Sequence, residues 1–333
     1  MKNKKWIALS AAVVLAVTAL PMTVFAAKKD KEEEKLSKVT LNEVAHSIFY
    51  APQYVAIEEG YFAEEGLDLT LVTGFGADKT MTAVISGEAD IGFMGAEASV
   101  YAYQEGATDP VVNFAQLTQR AGNFLVAREE MPDFKWEDLK GKKVLGGRKG
   151  GMPEMVFEYI LKKNGIDPQK DLTIDQSIDF GSTAAAFTGD DSAAYTVEFE
   201  PSATILEKEG GGYVVASLGE ASGYVPYTSY SAKVSYMEEN PEIIQKFTNA
   251  LQKGMNYVQI HTPEEIAEVI APQFKETDIE TITTIVKRYY DQDTWKENLI
   301  FEKDSFELLQ DILEDAGELS QRVNYEDLVQ TSS

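Results

Sequence analysis

Apolar and polar positions alternate along the chain with two periods, which predict strands and helices in turn. Leu67 to Val72 alternates at a period of two and predicts a strand. Ala77 to Ser86 predicts an amphipathic helix with Ile85 among its inward residues. Ala89 to Met94 is a short apolar run that predicts a buried strand. This repetition of strand, loop and helix favours an α/β fold with a mainly parallel sheet covered on both faces.

A second unit of the same kind occupies the middle of the chain. Pro153 to Asn164 predicts a helix, and Ala193 to Phe199 predicts a strand that is followed by a helix beginning at Pro201. Tyr227 to Ser231 predicts a strand that returns the chain to the first unit. From Met237 to Leu328 the pattern is mostly helical. The pattern therefore predicts two α/β lobes and a helical region that follows them.

The N-terminal region has the pattern of a secretory signal. The first five residues include three lysines, Trp6 to Thr18 is almost wholly apolar, and Val24 and Ala26 are small residues before a cleavage point. We therefore expect a signal peptide over residues 1–26 and an extracytoplasmic protein that is periplasmic, bound at the cell surface or secreted. An uncleaved N-terminal anchor is the alternative. The Lys- and Glu-rich residues 27–38 predict a flexible tether.

Composition excludes several classes of site and partner. The sequence has no cysteine and only two histidines. It can therefore form no disulfide, thiolate metal site or lipidated cysteine, and we expect neither a metal nor a cofactor. The formal net charge is −25. A surface this acidic repels phosphate backbones, which argues against a nucleic-acid partner.

Short motifs in a fixed order resemble one family. They are Phe49-Tyr-Ala-Pro-Gln-Tyr-Val-Ala56, Gly60-Tyr-Phe62 with Glu65-Gly-Leu67, Ser86-Gly-Glu-Ala-Asp-Ile-Gly92, Asp138-Leu-Lys-Gly-Lys142 and the Gly-rich loop from Gly146. Together they resemble the nitrate/sulfonate/taurine and thiamine-pyrimidine branch of the solute-binding proteins of ABC importers. The resemblance covers nearly all of the chain after the signal.

This resemblance implies the type II periplasmic binding protein fold, in which two doubly wound α/β lobes are joined by a two-strand hinge and close on a ligand. Residues 39–120 and 228–333 would form the first lobe, and residues 121–227 would form the second. The resemblance also implies a small-molecule ligand, an ABC permease and its ATPase as partners, and no enzymatic activity. We expect a monomer that meets a membrane only through the permease or an uncleaved signal helix.

The loops that follow the predicted strands are the candidate site, because ligands of open α/β sheets bind outside the carboxyl ends of the strands. Glycines there let the backbone approach a ligand, aromatic rings stack on a planar one, and carboxylates or arginines bind its polar groups. The candidate ligand-binding residues are His46, Phe49, Tyr50, Gly74, Phe75, Gly76, Gly95, Glu97, Arg120, Arg148, Gly150, Gly151, Glu198, Glu200 and Tyr227. Each of them alone is also compatible with a structural role, such as a turn, a core ring, a helix cap or a surface charge.

The ligand class and the function class both have alternatives. Helix N-termini and arginines suit a sulfonate, nitrate or carboxylate, whereas aromatic rings with Glu97, Glu198 and Glu200 suit a planar heterocycle such as a thiamine-type pyrimidine. We favour the heterocycle slightly, because acidic groups in pocket loops disfavour an anion. The alternative function is an enzyme on the same fold, similar to thiamine-pyrimidine synthases or menaquinone-pathway lyases. A two-lobed sensor is not expected, because the sequence shows no helix-turn-helix, kinase or second membrane segment.

Overall fold

The computed structural model describes residues 35–178 and 180–331. The predicted signal peptide and the first part of the predicted tether lie outside the described residues. The strands are β1 (Ser37–Glu43), β2 (Leu67–Thr73), β3 (Ile91–Gly95), β4 (Val111–Gln116), β5 (Asn123–Ala127), β6 (Lys143–Leu145), β7 (Thr173–Asp175), β8 (Tyr195–Phe199), β9 (Tyr213–Ser217) and β10 (Thr228–Lys233). The helices are α1 (Ala51–Glu58), α2 (Tyr61–Glu64), α3 (Ala77–Ser86), α4 (Glu97–Gln104), α5 (Met152–Lys163), α6 (Thr183–Gly189), α7 (Ser202–Lys208), α8 (Leu218–Ser222), α9 (Val234–Glu239), α10 (Pro241–Ile260), α11 (Pro263–Ile270), α12 (Ile279–Asp291), α13 (Lys303–Asp315) and α14 (Tyr325–Leu328). Within these described ranges, no helix has the length and apolar character needed to cross a membrane.

The strands form two five-stranded sheets with one shared plan. The first sheet has the order β2-β1-β3-β10-β4, and the second has the order β7-β6-β8-β5-β9. In the first sheet β10 runs antiparallel to its neighbours, and in the second sheet β5 does so. The pairs of β1 with β2 and β3, and of β6 with β7 and β8, are parallel. The predicted α/β class with mainly parallel sheets is thus confirmed, with one reversed strand in each sheet.

The two sheets divide the chain into two lobes. The strands of the first sheet lie within residues 37–116 and 228–233, and those of the second lie within residues 123–217. We refer to residues 35–116 and 228–331 as the first lobe and to residues 123–222 as the second lobe. Residues 117–122 and 223–227 connect the lobes and are called the hinge segments. The lobe boundaries after residues 120 and 227 remain a prediction.

The hinge contains a third segment that the sequence pattern does not indicate. Leu117 lies at the centre of the hinge, where its N–H donates to the carbonyl of Thr228 at 3.1 Å. On its other side, the Leu117 carbonyl accepts the N–H of Lys296 at 3.1 Å. Residues 294–296 therefore flank the predicted two-strand hinge, and a β-bridge between Thr118 and the middle residue of this segment completes the arrangement.

Aromatic stacking and one close helix approach define the core of the first lobe. Tyr230 on β10 stacks on Phe93 of β3 with ring centroids 4.2 Å apart, and it meets Phe247 of α10 at 5.4 Å. Helix α10 approaches α1 at Gly254, where any Cβ atom would collide with the carbonyl oxygen of Pro52. Only glycine permits this approach, because packed interiors leave no room for an added methyl group.

Three details differ from the sequence predictions. Strand β1 begins at Ser37, so the last two residues of the predicted tether belong to the sheet and pair with the start of β2. Ile85, which was predicted to point inward, is 49% exposed, because α3 buries the adjacent Val84 against the sheet instead. Pro201 precedes α7 rather than beginning it, since the first helical residue is Ser202.

Helix α12 contacts both lobes. It packs against α11 of the first lobe, and its Arg288 side chain reaches α7 of the second lobe. Arg288 donates to Glu200 Oε1 at 2.7 Å and to Thr204 Oγ1 at 2.9 Å, and it also pairs with Glu207. The Glu200 side chain is fully buried. Arg288 therefore neutralises a buried carboxylate at the point where α12 meets the second lobe.

Replacing Arg288 with methionine should lower the free energy of unfolding by about 3 kcal/mol, because methionine keeps the apolar stem but leaves Glu200 buried without a cation. Urea unfolding followed by circular dichroism would measure this loss. Arg322→Met is the matched control, because Arg322 pairs with carboxylates on the exposed surface, where a lost ion pair changes stability little. An equal loss in both variants would contradict the role given to Arg288.

Candidate functional site

The carboxyl ends of the two sheets face each other, and side chains cross between the lobes there. Tyr101 on α4 donates its hydroxyl to the carbonyl of Gly150 at 3.0 Å. Ser47, which follows β1, donates its hydroxyl to the carbonyl of Glu200 at 3.2 Å. These contacts bring the loops after β1 and β3 against the loops after β6 and β8. The region between them is called the interlobe interface.

Aromatic rings fill the centre of the interlobe interface. The ring centroid of Phe49 lies 5.1 Å from that of Tyr50, 5.6 Å from that of Tyr227 and 5.8 Å from that of Phe199. Gly122 makes this packing possible, because a Cβ atom there would lie 2.6 Å from the Phe49 ring and 2.8 Å from the Phe199 ring. The four rings, called the aromatic cluster, thus come from the first lobe, the second lobe and a hinge segment.

Backbone contacts fix the position of Phe49. Ser47 caps the short 3₁₀ turn at Ile48–Tyr50, where its hydroxyl accepts the N–H of Phe49 at 3.3 Å. Trp295, from the third segment of the hinge, donates its indole N–H to the carbonyl of Phe49 at 2.8 Å. The ring at the centre of the interface is therefore held by both the first lobe and the hinge.

Glu97 brings a buried carboxyl group to the interface. It opens α4 directly after β3, and its carboxyl folds over Gly95, where an added methyl group would collide with it. Burial raises the pKa of Glu97 to about 7, although its own N–H, the N–H of Met152 across the interface and the charge of Arg148 all lower it. Oε2 of Glu97 has no hydrogen-bond partner among the described residues. This oxygen is available to a donor that the protein itself does not supply.

Glu198 is a second buried carboxyl group, at the carboxyl end of β8 in the second lobe. It is the penultimate residue of β8, and its Oε1 accepts the hydroxyl of Thr196 at 2.6 Å. Burial raises the pKa of Glu198 to about 7, although the hydroxyls of Thr196 and Thr183 lower it by hydrogen bonding. Both lobes therefore carry a carboxyl group that changes its charge near neutral pH.

Asn123 is a buried polar residue at the interface that the sequence reasoning missed. It is the first residue of β5 and is fully buried, and its Oδ1 accepts the hydroxyl of Tyr227 at 2.8 Å. Its Nδ2 has no partner in the described part of the chain. The apolar pattern predicts this strand over Phe124 to Arg128, one residue later, so the position of Asn123 at the edge of the interface is not visible in the pattern.

Two of the predicted site residues make their side-chain contacts where the hinge meets the second lobe. Glu200 accepts from the N–H of Thr204 at 2.9 Å in the first turn of α7, and it pairs with Arg288. Arg120 lies 4.1 Å above the ring of Tyr224 and donates to the carbonyl of Gly219 at 3.1 Å. These contacts give both residues a structural role at the junction of the hinge and the second lobe.

His46 belongs to a polar network around Glu43, a buried carboxylate at the end of β1 that the sequence reasoning also missed. Glu43 accepts from Gln53 and Tyr54, each at 2.8 Å, and from Thr73 at 3.1 Å. His46 Nδ1 lies 2.8 Å from Glu43, and this hydrogen bond raises the pKa of His46 despite partial burial. The network ties β1, β2 and α1 together, so His46 supports the first lobe through Glu43.

The predicted glycine loops lie at the rim of the interface or inside one lobe. Gly74 packs against side chains of its own lobe, and Gly76 immediately precedes α3. Phe75 between them has a φ of 57° and is 76% exposed, so its ring lies outside the aromatic cluster. Gly150 has a φ of 80°, and Gly151 caps the N-terminus of α5. Gly150 thus contacts the first lobe through the carbonyl that Tyr101 binds.

The group buried at the interface is the carboxyl of Glu97, whereas the arginine at the rim is exposed. The Arg148 side chain is 57% exposed and lies 3.6 Å from Asp78 of the opposite lobe. This pair links the rims of the two lobes and leaves the interior to Glu97 and its neighbours. Across residues 35–178 and 180–331, no cluster of three or more histidine or acidic residues is arranged to hold a metal ion.

Comparison with known proteins identifies one family and one well-matched relative. The sequence model of the family described as NMT1/THI5 like matches residues 48–266. YtlA of Bacillus subtilis (strain 168), whose name describes a binding protein and states no ligand, is 46% identical over 325 residues. That alignment covers 98% of this chain and 96% of YtlA.

More distant similarities extend to proteins with named ligands. The riboflavin-binding protein RibY of Chloroflexus aurantiacus is 25% identical over 235 residues, which cover 69% of this chain and 65% of RibY. The alkanesulfonate-binding protein SsuA from Xanthomonas axonopodis pv. citri, solved bound to MOPS, is 15% identical with a TM-score of 0.71. The superposition covers 90% of this chain and 99% of SsuA, and it shows a shared fold.

Replacing Glu198 with glutamine should change how stability depends on pH. The folded protein keeps a proton on Glu198 up to about pH 7, whereas an unfolded glutamate releases it near pH 4.5, so the carboxyl lowers stability as the pH rises between these values. Glutamine resembles the protonated form at every pH. We expect the two proteins to be equally stable at pH 4 and the variant to gain up to about 3 kcal/mol by pH 8.

Urea unfolding at four pH values between 4 and 8 would test this expectation. The comparison at pH 4 is the internal control, because both side chains are uncharged there. A stability difference that stays constant from pH 4 to pH 8 would show that burial does not raise the pKa of Glu198.

Proposed function

We propose that this chain, which belongs to the NMT1/THI5-like family, is the solute-binding protein of an ABC importer. It captures a small organic molecule between its two lobes outside the cytoplasm, and an ABC permease with its ATPase moves that molecule across the membrane. The name of YtlA supports the general class of binding protein. The fold shared with SsuA supports a mechanism of two lobes that close on a ligand.

One observation carries the proposal: the interlobe interface buries a polar atom that its surroundings leave unpaired. Glu97 Oε2 is without a partner in the described ranges, although its residue is only 4% exposed. A buried polar group in this condition costs about 1–3 kcal/mol, and native proteins rarely retain one without a reason. A ligand that donates to Glu97 would remove this cost. The closed arrangement is therefore completed by a bound molecule.

The lobes close when contacts form across the gap between them, and they open when these contacts break. The hydrogen bond from Tyr101 to Gly150, the one from Ser47 to the second lobe, and the ion pair of Arg148 all cross the gap. The hinge and α12 hold the lobes together independently of these contacts. A ligand that prefers the closed form shifts the population toward it by that difference in affinity.

The ligand that we propose is a planar heterocycle, such as a thiamine-type pyrimidine, in preference to a sulfonate or nitrate. Glu97 and Glu198 attract donors and cations and repel anions, and the aromatic cluster offers ring faces for stacking. The ligand named for RibY belongs to the heterocyclic class, whereas the ligand named for SsuA is an anion. The same fold serves both classes, so the residues of the interface decide between them.

A panel of ligands should separate the two classes by thermal shift. We expect 4-amino-5-hydroxymethyl-2-methylpyrimidine or riboflavin to raise the melting temperature, and taurine, MOPS and nitrate to leave it unchanged. A ligand at a hundredfold excess over its Kd stabilises the folded state by about 2.7 kcal/mol, which is readily measured. A shift with the anions alone would contradict the heterocyclic class, and no shift with any compound would contradict the binding function.

Two glycine variants test whether closure is needed for binding, one as the test and the other as its matched control. Gly122→Ala should abolish the ligand-induced shift, because its methyl group collides with the rings of Phe49 and Phe199 and keeps the lobes apart. Gly189→Ala should retain the shift, because nothing lies within 4 Å of the added atom. Mass spectrometry after incubation should show that the ligand is chemically unchanged. Turnover would favour the alternative, which is an enzyme.

Export should remove the first 26 residues. The predicted cleavage point follows Ala26, so N-terminal sequencing of the protein recovered from outside the cytoplasm of a bacterial host should begin at Ala27. Ala26→Lys should block cleavage, because signal peptidase sites require a small residue at that position. Recovery of an uncleaved, membrane-bound chain from the unaltered sequence would support the anchor instead.

A further inference from the structure

We infer that Asn123 determines ligand specificity together with Glu97: Asn123 donates an N–H to an acceptor on the ligand, and Glu97 accepts from a donor on the same ligand. The inference rests on the proposed function and narrows its ligand class. The molecule is a neutral heterocycle that carries both kinds of group, as an aminopyrimidine or a flavin does.

A hydrogen bond from Tyr227 fixes the orientation of the Asn123 side chain. Asn123 pairs with Phe199 across β5 and β8, so it lies beside the aromatic cluster. The Tyr227 hydroxyl donates to Oδ1 at 2.8 Å, and this bond turns the amide so that Nδ2 points away from Tyr227. The residue is 0% exposed, and Nδ2 finds no acceptor among the residues that the structure describes. An N–H donor is thus held in a fixed direction without a partner.

Tyr227 connects this donor to the part of the chain that carries the free oxygen of Glu97. The N–H of Ala96 donates to the Tyr227 carbonyl at 3.3 Å, and Glu97 is the next residue along the chain. Tyr227 therefore touches the start of α4 with its backbone and Asn123 with its hydroxyl. The unpaired acceptor of the first lobe and the unpaired donor of the second lobe lie on either side of one hinge residue.

Two further buried side-chain atoms without partners lie near the hinge. Gln116 Oε1 and Arg120 Nε are unpaired within the described ranges, but each side chain already binds the backbone near the hinge. Gln116 donates to the carbonyl of Thr118 at 2.9 Å, and Arg120 donates to that of Gly219. Their other atoms anchor the hinge, which separates them from the pair at the interlobe interface.

Only a ligand with both a donor and an acceptor can satisfy Asn123 Nδ2 and Glu97 Oε2. A ligand with acceptors only, such as a sulfonate or nitrate, would bind Asn123 but leave the Glu97 carboxyl facing a negative charge. A ligand with donors only would leave Nδ2 of Asn123 unpaired. Because each unpaired buried group weakens binding, a molecule that offers both an acceptor and a donor is selected over either.

The test combines a protein variant with a ligand variant. Asn123→Asp keeps the oxygen that accepts from Tyr227 and removes the N–H. The probe is 4-amino-5-hydroxymethyl-2-methylpyrimidine, and its partner is the pyridine in which C–H replaces the ring nitrogen beside the amine. In isothermal titration calorimetry, the wild-type protein should bind the pyridine about 10- to 100-fold more weakly than the pyrimidine. Asn123→Asp should weaken pyrimidine binding by a similar factor and show no further loss with the pyridine.

Asn113→Ala is the matched control for folding. Asn113 is also buried in a strand, but it donates to Ser99 at 2.7 Å and to the carbonyl of Leu328 at 3.2 Å, both within the first lobe. This variant should lower the melting temperature and leave the Kd of the pyrimidine unchanged. Riboflavin serves as a second probe with the same variants, and circular dichroism confirms that each variant is folded.

The outcomes separate this inference from the proposed function. Tight binding of a heterocycle that Asn123→Asp does not weaken would overturn the inference and leave the importer function standing. Binding of taurine or MOPS alone would also overturn it, again without affecting the general function. If neither the heterocycles nor the anions bind, the proposed function itself fails.

Discussion

A carboxyl group buried at the end of a strand must find donors or keep its proton. Four such groups lie in the described part of this chain, and they meet the requirement differently. Glu43 is surrounded by donors from its own lobe, and Glu200 is bound by Arg288 and the start of α7. Glu97 and Glu198 have fewer donors, and burial raises the pKa of each to about 7. The first pair holds the architecture together, whereas the second pair lies in surroundings that favour the protonated form.

The lobes are joined at the hinge and also away from it. At the hinge three backbone segments pair, and Arg288 of α12 binds a buried carboxylate of the second lobe. Away from the hinge the lobes are joined by hydrogen bonds, by the exposed ion pair between Arg148 and Asp78, and by α13, which packs against α5. Lys162 of α5 also pairs with Asp315 of α13. Exposed pairs of this kind contribute little free energy, so the hinge and the two helices α12 and α13 carry most of the connection between the lobes.

Local pattern was sufficient to predict much of the fold. Helix α3 occupies the predicted residues 77–86, and the alternation of strands and helices gives the two sheets, because periodicity reports directly on which side of an element is buried. The third hinge segment, residues 294–296, was not predictable, since it pairs with residues almost two hundred positions earlier. The same limit applies to the candidate site. Strand ends placed Glu97 and Glu200 equally well in it, and only their partners distinguish them.

The position of that third hinge segment has a consequence for how the chain matures. Its pairing with Leu117 cannot form until residues 294–296 have left the ribosome, nor can Trp295 bind Phe49 before then. The central ring of the aromatic cluster lacks its final support while the C-terminal tenth of the chain is still being synthesised. The hinge and the centre of the interlobe interface therefore cannot reach their final arrangement before almost the whole chain is available.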